Sequence, residues 1–342
     1  MTGTRTPVAR APGFAWPRDV VRVPDEDWVT RPLDEFGVRY NQVGGHAYYQ
    51  KNLDPLVAQA AVAIRDGQLL VDYSAGTGLL TRRVLDATPA RIGVLNVDPS
   101  PKFLRVAVEN HADDERVAFR LLRQRKEEKR LETLDDVLDP ALAGRVDVVT
   151  AANAIHLYPD LHSTLTSWHR VLRPGGIVLI NSGCLRNPHA RRADWVLDDT
   201  VDRVNEIVVE LVLREPAFAR YRENVVDRDR WSAYLAARQK AFVPLRPLDA
   251  YTDALSLAGF DVLNVSDATI FVDVAQFAEL LVTYHESVLG WVGGTARIAG
   301  VGPSEQALRD RFFLIRYGLE RTFPTADEFP CNWTYLTRRR KG

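Results

Sequence analysis

The chain has 342 residues, 46% of them hydrophobic and 26% charged, with a formal net charge of −1. That length holds one large domain or two modest ones, and the composition is that of a globular protein. The near-neutral balance excludes a global field that would favour nucleic acid or an anionic membrane surface.

The two cysteines, Cys184 and Cys331, lie far apart and match neither a disulfide framework nor a zinc pattern, so no metal is expected. No apolar run approaches the length of a membrane span. The first residues, with Arg5, Pro7, Arg10, Pro12 and Pro17, lack the apolar core of a signal peptide. The expectation is a cytoplasmic protein that does not enter a membrane. Abundant Arg, Ala, Val and Asp suggest a GC-rich bacterial source.

In chain order, residues 1–30 read as irregular and residues 1–53 as an N-terminal cap segment. Within it, Tyr40, Tyr48 and Tyr49 sit among glycines and amides just before the first strand. Two readings stand for these tyrosines: they cover a ligand, or they fasten an N-terminal helix to the core. A helix is predicted over 54–65, with Asp54 as N-cap and Pro55 in its first turn.

The apolar run Leu69–Tyr73 is then a buried strand. It passes through Ser74-Ala75-Gly76-Thr77-Gly78 into a helix over 79–85. A strand, a tight turn and a helix start in that order make an anion-binding ligand site, because backbone N–H groups at the helix start are unpaired. A dinucleotide fingerprint would need glycine or alanine at Thr81, and a P-loop would need Gly-Lys-Ser/Thr; neither is present.

Residues 91–98 form a second strand ending on Asp98, 20 positions after Gly78. That spacing lets a carboxylate reach ribose hydroxyls. Pro99 and Phe103 stand ready to pack on a nucleobase. A helix over 100–110, a strand over 117–122, a charged loop over 123–130 and a strand over 146–152 follow. After a helix over 160–171, Arg173-Pro174-Gly175-Gly176 turns the chain into a strand over 177–181. Five strands alternating with helices predict βαβ units and a parallel sheet covered on both faces.

Beyond residue 184 the rhythm breaks. Residues 185–247 read as a helical cap insertion. Residues 248–342 read as the remainder of the core, with a helix over 248–258, a strand within 260–271, a second helical insertion at about 275–325 that opens with a helix over 275–291, and a strand over 332–338.

The glycine turn with Asp72, Gly76 and Gly78 resembles the first motif of class I S-adenosylmethionine-dependent methyltransferases, with Ser74 in place of a glycine. Asp98, the segment Asp147–Asp160 and the turn Arg170–Gly176 resemble three further motifs of that family, in the same order over residues 69–181. The resemblance implies an α/β fold: a doubly wound, mostly parallel seven-stranded Rossmann-like sheet with helical cap insertions, spanning 54–184 as its cofactor-binding core. It implies S-adenosyl-L-methionine as cofactor, bound by Asp72, Ser74, Gly76, Gly78, Asp98 and Pro99, with Tyr40 and Tyr49 folding over it. The acidic residue that often receives the adenine amino group is missing, and Gln124 is the substitute. The loop after the fourth strand lies near the methyl group in this family. It offers Asn153 to bind the cofactor's amino group or to orient a substrate, and His156 and Tyr158 for catalysis. His156 is the proposed base because imidazole titrates near neutrality. His285, beside Tyr284, is a second candidate.

The resemblance points to methyl transfer to a small molecule in specialised metabolism, by a monomer or homodimer. The same fold and cofactor also support a non-methylating intramolecular displacement that releases methylthioadenosine. A nucleic-acid acceptor is not expected, since Asn153-Ala154-Ile155-His156 is not a base-modifying motif.

Overall fold

Runs of Val, Leu and Ile with no polar alternation fold here as interior strands. Leu69–Tyr73 (β1) and Gly93–Asp98 (β2) are buried at every position, as expected where both sheet faces are covered. Val117–Leu121 (β3), Val146–Ala152 (β4) and Leu172–Ser182 (β5) complete a parallel set. Phe260–Asp273 (β6) and Glu328–Arg340 (β7) finish the sheet. β7 lies between β5 and β6, antiparallel to both. The order is β3-β2-β1-β4-β5-β7-β6, a doubly wound, mostly parallel seven-stranded sheet. The winding reverses between β1 and β4, where ligands collect in such sheets. The structure is a computed structural model describing residues 14–342; Arg5, Pro7, Arg10 and Pro12 lie outside the described residues.

Ten helices of eight or more residues accompany the sheet among the described residues. Around the core they are Glu35–Val43 (α1), Ala47–Ala63 (α2), Leu79–Ala87 (α3), Pro101–Asn110 (α4) and Leu161–Val171 (α5). Farther along come Leu197–Arg214 (α6), Arg228–Arg238 (α7), Leu248–Leu257 (α8), Val274–Thr283 (α9) and Glu305–Thr322 (α10).

Three sequence expectations are corrected. The helix expected to begin at Asp54 starts at Ala47, with His46 as N-cap and Pro55 inside it. The proposed boundary between residues 53 and 54 therefore falls within a helix. Burial of Tyr48, Leu53, Leu56 and Ala60 drives this extension. Beside the proline, the Asn52 carbonyl accepts from Asn181 Nδ2 at 2.8 Å and from the Tyr335 hydroxyl at 2.9 Å. Tertiary contacts thus hold a turn that Pro55 weakens. Second, the charged run 123–130 contributes to a two-stranded ribbon pairing Gln124–Arg125 with Arg130–Leu131. Arg130 anchors it by pairing with Asp136 at 2.6 Å. Third, the helix expected over 275–291 breaks at Tyr284 into α9 and a short helix, His285–Leu289.

The two insertions pack together as one cap with its own core, which includes Val204, Val208, Leu314 and Ile315. α6 and α10 approach closely at Gly318: a Cβ there would lie 2.8 Å from Val204 Cγ1 and 3.2 Å from the Val204 carbonyl oxygen. A buried cation also organises the cap. Arg311 is fully enclosed and donates to the carbonyls of Gly290, Val292 and Gly294 at 3.2, 3.0 and 2.7 Å. Burial lowers its guanidinium to about 10, so it stays charged at neutral pH. The three carbonyls offset the cost of enclosing that charge.

Candidate active site

The turn after β1 is held by β2. The N–H groups of Ser74 and Ala75 both donate to the Val97 carbonyl, at 2.7 and 3.1 Å. Ser74, Gly76 and Gly78 have φ of 64°, 57° and 81°. At Gly78, the N-cap of α3, glycine is required twice over: φ is positive, and a Cβ would lie 2.6 Å from His111 Nε2. Ser74 adopts its left-handed conformation despite a cost of about 1–2 kcal/mol. Its hydroxyl is hydrogen-bonded to the Tyr158 hydroxyl, which ties the glycine turn to the loop after β4.

Asp98 is buried at the end of β2 and lines a cavity of about 410 Å³. Its Oδ2 accepts from Gly76 N at 2.9 Å and its Oδ1 from Ser100 N at 2.7 Å. Burial pushes this carboxyl up to about 7, against those two bonds. Ser74, Gly76 and Pro99 line the same end of the cavity. Gly78 is not among the lining residues; it shapes the turn from behind.

Two expected cofactor residues are displaced. Asp72 does not line the cavity. It lies beneath the turn, where Thr81 Oγ1 donates to it at 2.8 Å and Thr150 Oγ1 at 3.2 Å. Burial pushes it up to about 6. Its work is to fasten α3 and β4 under β1. Gln124 is exposed on the small ribbon and does not line the cavity; its ladder partner Leu131 is the ribbon residue that reaches the cavity wall.

Tyr40, Tyr48 and Tyr49 all line the cavity. The Tyr40 and Tyr49 hydroxyls lie 2.5 Å apart, and burial holds both phenols protonated well beyond neutral pH. Tyr40 stacks on Phe103 with centroids 4.5 Å apart. The tyrosines line the cavity, and Tyr40 and Tyr49 also join α1 and α2 to each other and, through Phe103, to α4. The Tyr48 hydroxyl is buried with no hydrogen-bond partner among the described residues.

The loop after β4 forms the middle of the cavity. Asn153 has a φ of 51°, and its side chain is already engaged. Its Nδ2 donates to Asn52 Oδ1 and its Oδ1 accepts from Trp333 Nε1, both at 2.8 Å. This fixes the loop rather than leaving a free carbonyl for a cofactor amine. His156 lines the cavity and shares a 3.1 Å hydrogen bond with the Ser182 hydroxyl. Burial, with the nearby Arg246 guanidinium, lowers its imidazole to about 4. The expectation of a base tuned near neutrality is corrected: His156 is neutral at working pH and holds a proton weakly. Tyr158, raised well above the usual phenol range by burial, is a hydrogen-bond donor and not a base. His285 is outside the cavity. It sits in the cap 2.8 Å from Arg311 Nη1, and burial first, then that cation, lowers it to about 4.

Sequence reasoning missed Arg246, which donates to the backbone carbonyls of His156, at 3.1 Å, and of Tyr158. It also missed Cys184, Asp198 and Trp333, all of which line the cavity. They come from the cap boundary and β7, and no local spacing marks them. Among the described residues, no group of three or more His, Cys, Asp or Glu side chains could hold a metal ion. No helix there is long and apolar enough to cross a membrane.

Residues 71–178 match the family model of a methyltransferase domain. Sixty residues are 40% identical to a highly reducing polyketide synthase of Strobilurus tenacellus, and 130 residues are 28% identical to a hybrid PKS-NRPS synthetase of Emericella nidulans. These matches cover 17% and 37% of this chain and only 2% and 3% of those two long proteins. Haemonchus contortus phosphoethanolamine N-methyltransferase 2, solved with S-adenosyl-L-methionine, is similar at 18% identity and a TM-score of 0.48, over 96% of this chain and 62% of that one. The matched residues run from β1 into β5, so the stretch that matches a methyltransferase domain is the one whose strand ends form the floor of the cavity.

Proposed function

We propose that the chain is a cytoplasmic enzyme, monomer or homodimer, that transfers the methyl group of S-adenosylmethionine to a small, largely apolar acceptor in specialised metabolism. One observation carries this reading. A single cavity runs from Asp98 and Gly76 at the strand ends to Leu197, Val201, Phe242 and Leu281 in the cap. It has a polar floor for a nucleoside and an apolar end for a second molecule, and its volume is in the range of small-molecule sites. The polyketide-assembling relatives support a biosynthetic role. The near-neutral chain and the apolar end of the cavity argue against a nucleic-acid acceptor.

The residues fit the cofactor. Asp98 is a buried carboxylate held by only two backbone donors, and burial leaves it with capacity for hydroxyl donors such as those of a ribose. Gly76 leaves room above the turn. When bound, S-adenosylmethionine supplies a methyl group already activated on sulfur. The chain's own part is binding, alignment and exclusion of water. Tyr40, Tyr49 and Tyr284 close the cavity from above, while Tyr158 and Arg246 hold the loop after β4 in place. His156, neutral and hydrogen-bonded to Ser182, shapes the space beside the acceptor.

The test is incubation with methyl-labelled S-adenosylmethionine and a pool of small metabolites. The expected products are S-adenosylhomocysteine and a labelled small molecule. Methylthioadenosine as the sole nucleoside product, or label entering nucleic acid, would overturn the proposal.

A further inference from the structure

We infer that Asp198 recognises the acceptor, by taking a hydrogen bond from a hydroxyl or amine on an otherwise apolar small molecule. The inference rests on the proposed function, since it assigns the cap end of the cavity to the acceptor.

Asp198 is the second residue of α6 and lines the cavity beside Cys184, Leu197 and Val201. It is 8% exposed. Its Oδ1 is 3.2 Å from Cys184 Sγ, which donates to it weakly. Its Oδ2 is buried and has no hydrogen-bond partner among the described residues. A buried carboxylate oxygen without a donor is costly, and native folds rarely keep one without a use. The final torsion of an aspartate is soft and nearly two-fold, so either oxygen can turn to a ligand without moving α6.

The surroundings leave Asp198 as the principal acceptor there. Leu197 and Val201 on α6, and Phe242 after α7, are apolar. His156 is held by Ser182. Lys240, also on the cavity wall, is exposed and remains in solvent. Burial raises the Asp198 carboxyl to about 6, which leaves it ionised at neutral pH yet close enough to accept a proton. Ser182 Oγ accepts from Cys184 N at 3.0 Å, so the end of β5 orders the residue that touches Asp198.

A matched pair of probes tests this: 2-naphthol, which has a hydroxyl donor, and 2-methoxynaphthalene, which has none. Their binding is measured by fluorescence on the full chain with S-adenosylhomocysteine present, at mildly alkaline pH. The wild type should prefer 2-naphthol by about tenfold or more, the effect of one hydrogen bond to a charged group. Asp198→Ala should bring the ratio near one while leaving 2-methoxynaphthalene and S-adenosylhomocysteine affinities unchanged. Should that variant not fold, Asp198→Asn has the same shape, and its neutral amide should lower the preference severalfold. The inference fails if the wild type shows no preference or binds neither probe. It also fails if the preference survives in the folded variants, or if both probes weaken equally, as a purely structural aspartate would require. Loss of S-adenosylhomocysteine binding by the wild type itself would instead reject the proposed function.

Discussion

The two ends of the cavity are built by different means. The floor, from Tyr73 to Phe103, is assembled from neighbours in sequence: backbone N–H groups of Gly76 and Ser100 converge on Asp98, and the Val97 carbonyl secures the turn. The roof is assembled from residues far apart, with Tyr49, Asp198, Phe242, Leu281 and Trp333 meeting only through tertiary packing. A floor made of backbone geometry tolerates little change and binds one kind of molecule. A roof made of side chains on separate helices can be re-cut without disturbing the floor. In the proposed function, one end fixes the cofactor and the other is free to set the acceptor.

The largest effect should come from attacking the floor. Asp98→Ala should weaken S-adenosylhomocysteine binding by about 1.5–3 kcal/mol, measured by calorimetry on a folded variant. Unchanged affinity would remove Asp98 from the site. Next, the roof can be strained alone. Gly318→Leu forces a side chain against Val204 and should cost about 1–3 kcal/mol of stability by overpacking. It should lower the melting temperature with S-adenosylhomocysteine affinity nearly intact. An equal collapse of cofactor binding would show that the two ends are not separable.

A smaller effect is expected from pH. Donors from a bound ribose would favour ionised Asp98, whose carboxyl is near 7 in the free protein. Below that pH a proton must leave before binding, so affinity should fall by up to about tenfold per pH unit as pH drops below 7, and level off above it. Asp98→Asn should flatten the profile, and a profile equally steep in that variant would assign the effect elsewhere. The smallest change is Ser74→Gly. It relieves a left-handed conformation but loses the Tyr158 bond and adds unfolded-state freedom, so net stability should move by less than about 1 kcal/mol. A larger loss would mean that the Ser74–Tyr158 tie holds floor and loop together more strongly than a single hydrogen bond.

The same contrast explains what could be read from the sequence. The five parallel strands, the glycine turn and Asp98 were legible because short-range rules set them: apolar runs of strand length, residues that accept positive φ, and an acid at a strand end. The two insertions were legible as helical, but not as one cap, because Gly318 meeting Val204 is invisible without the fold. Asp72 is the instructive error. A motif position says where a residue sits along the chain, and the side-chain alternation of β1 sends this one beneath the turn to Thr81 and Thr150. His156 and His285 show the parallel limit for chemistry. An imidazole's usefulness as a base depends on burial and on Arg246 or Arg311 nearby, and both cations come from other segments.

The insertion of β7 between β5 and β6 has a consequence for how the protein is made. Every ladder bond of β6 goes to β7, and residues 274–327 separate the two in the chain. A chain growing on the ribosome thus carries β6 unpaired, and β5 with an open flank, until residues 328–340 emerge. During that interval an apolar edge that includes Val178 and Ile180 faces solvent or a chaperone. Completion of the sheet is a late, long-range event, and its timing sets the window in which the nascent protein can pair with the wrong strand.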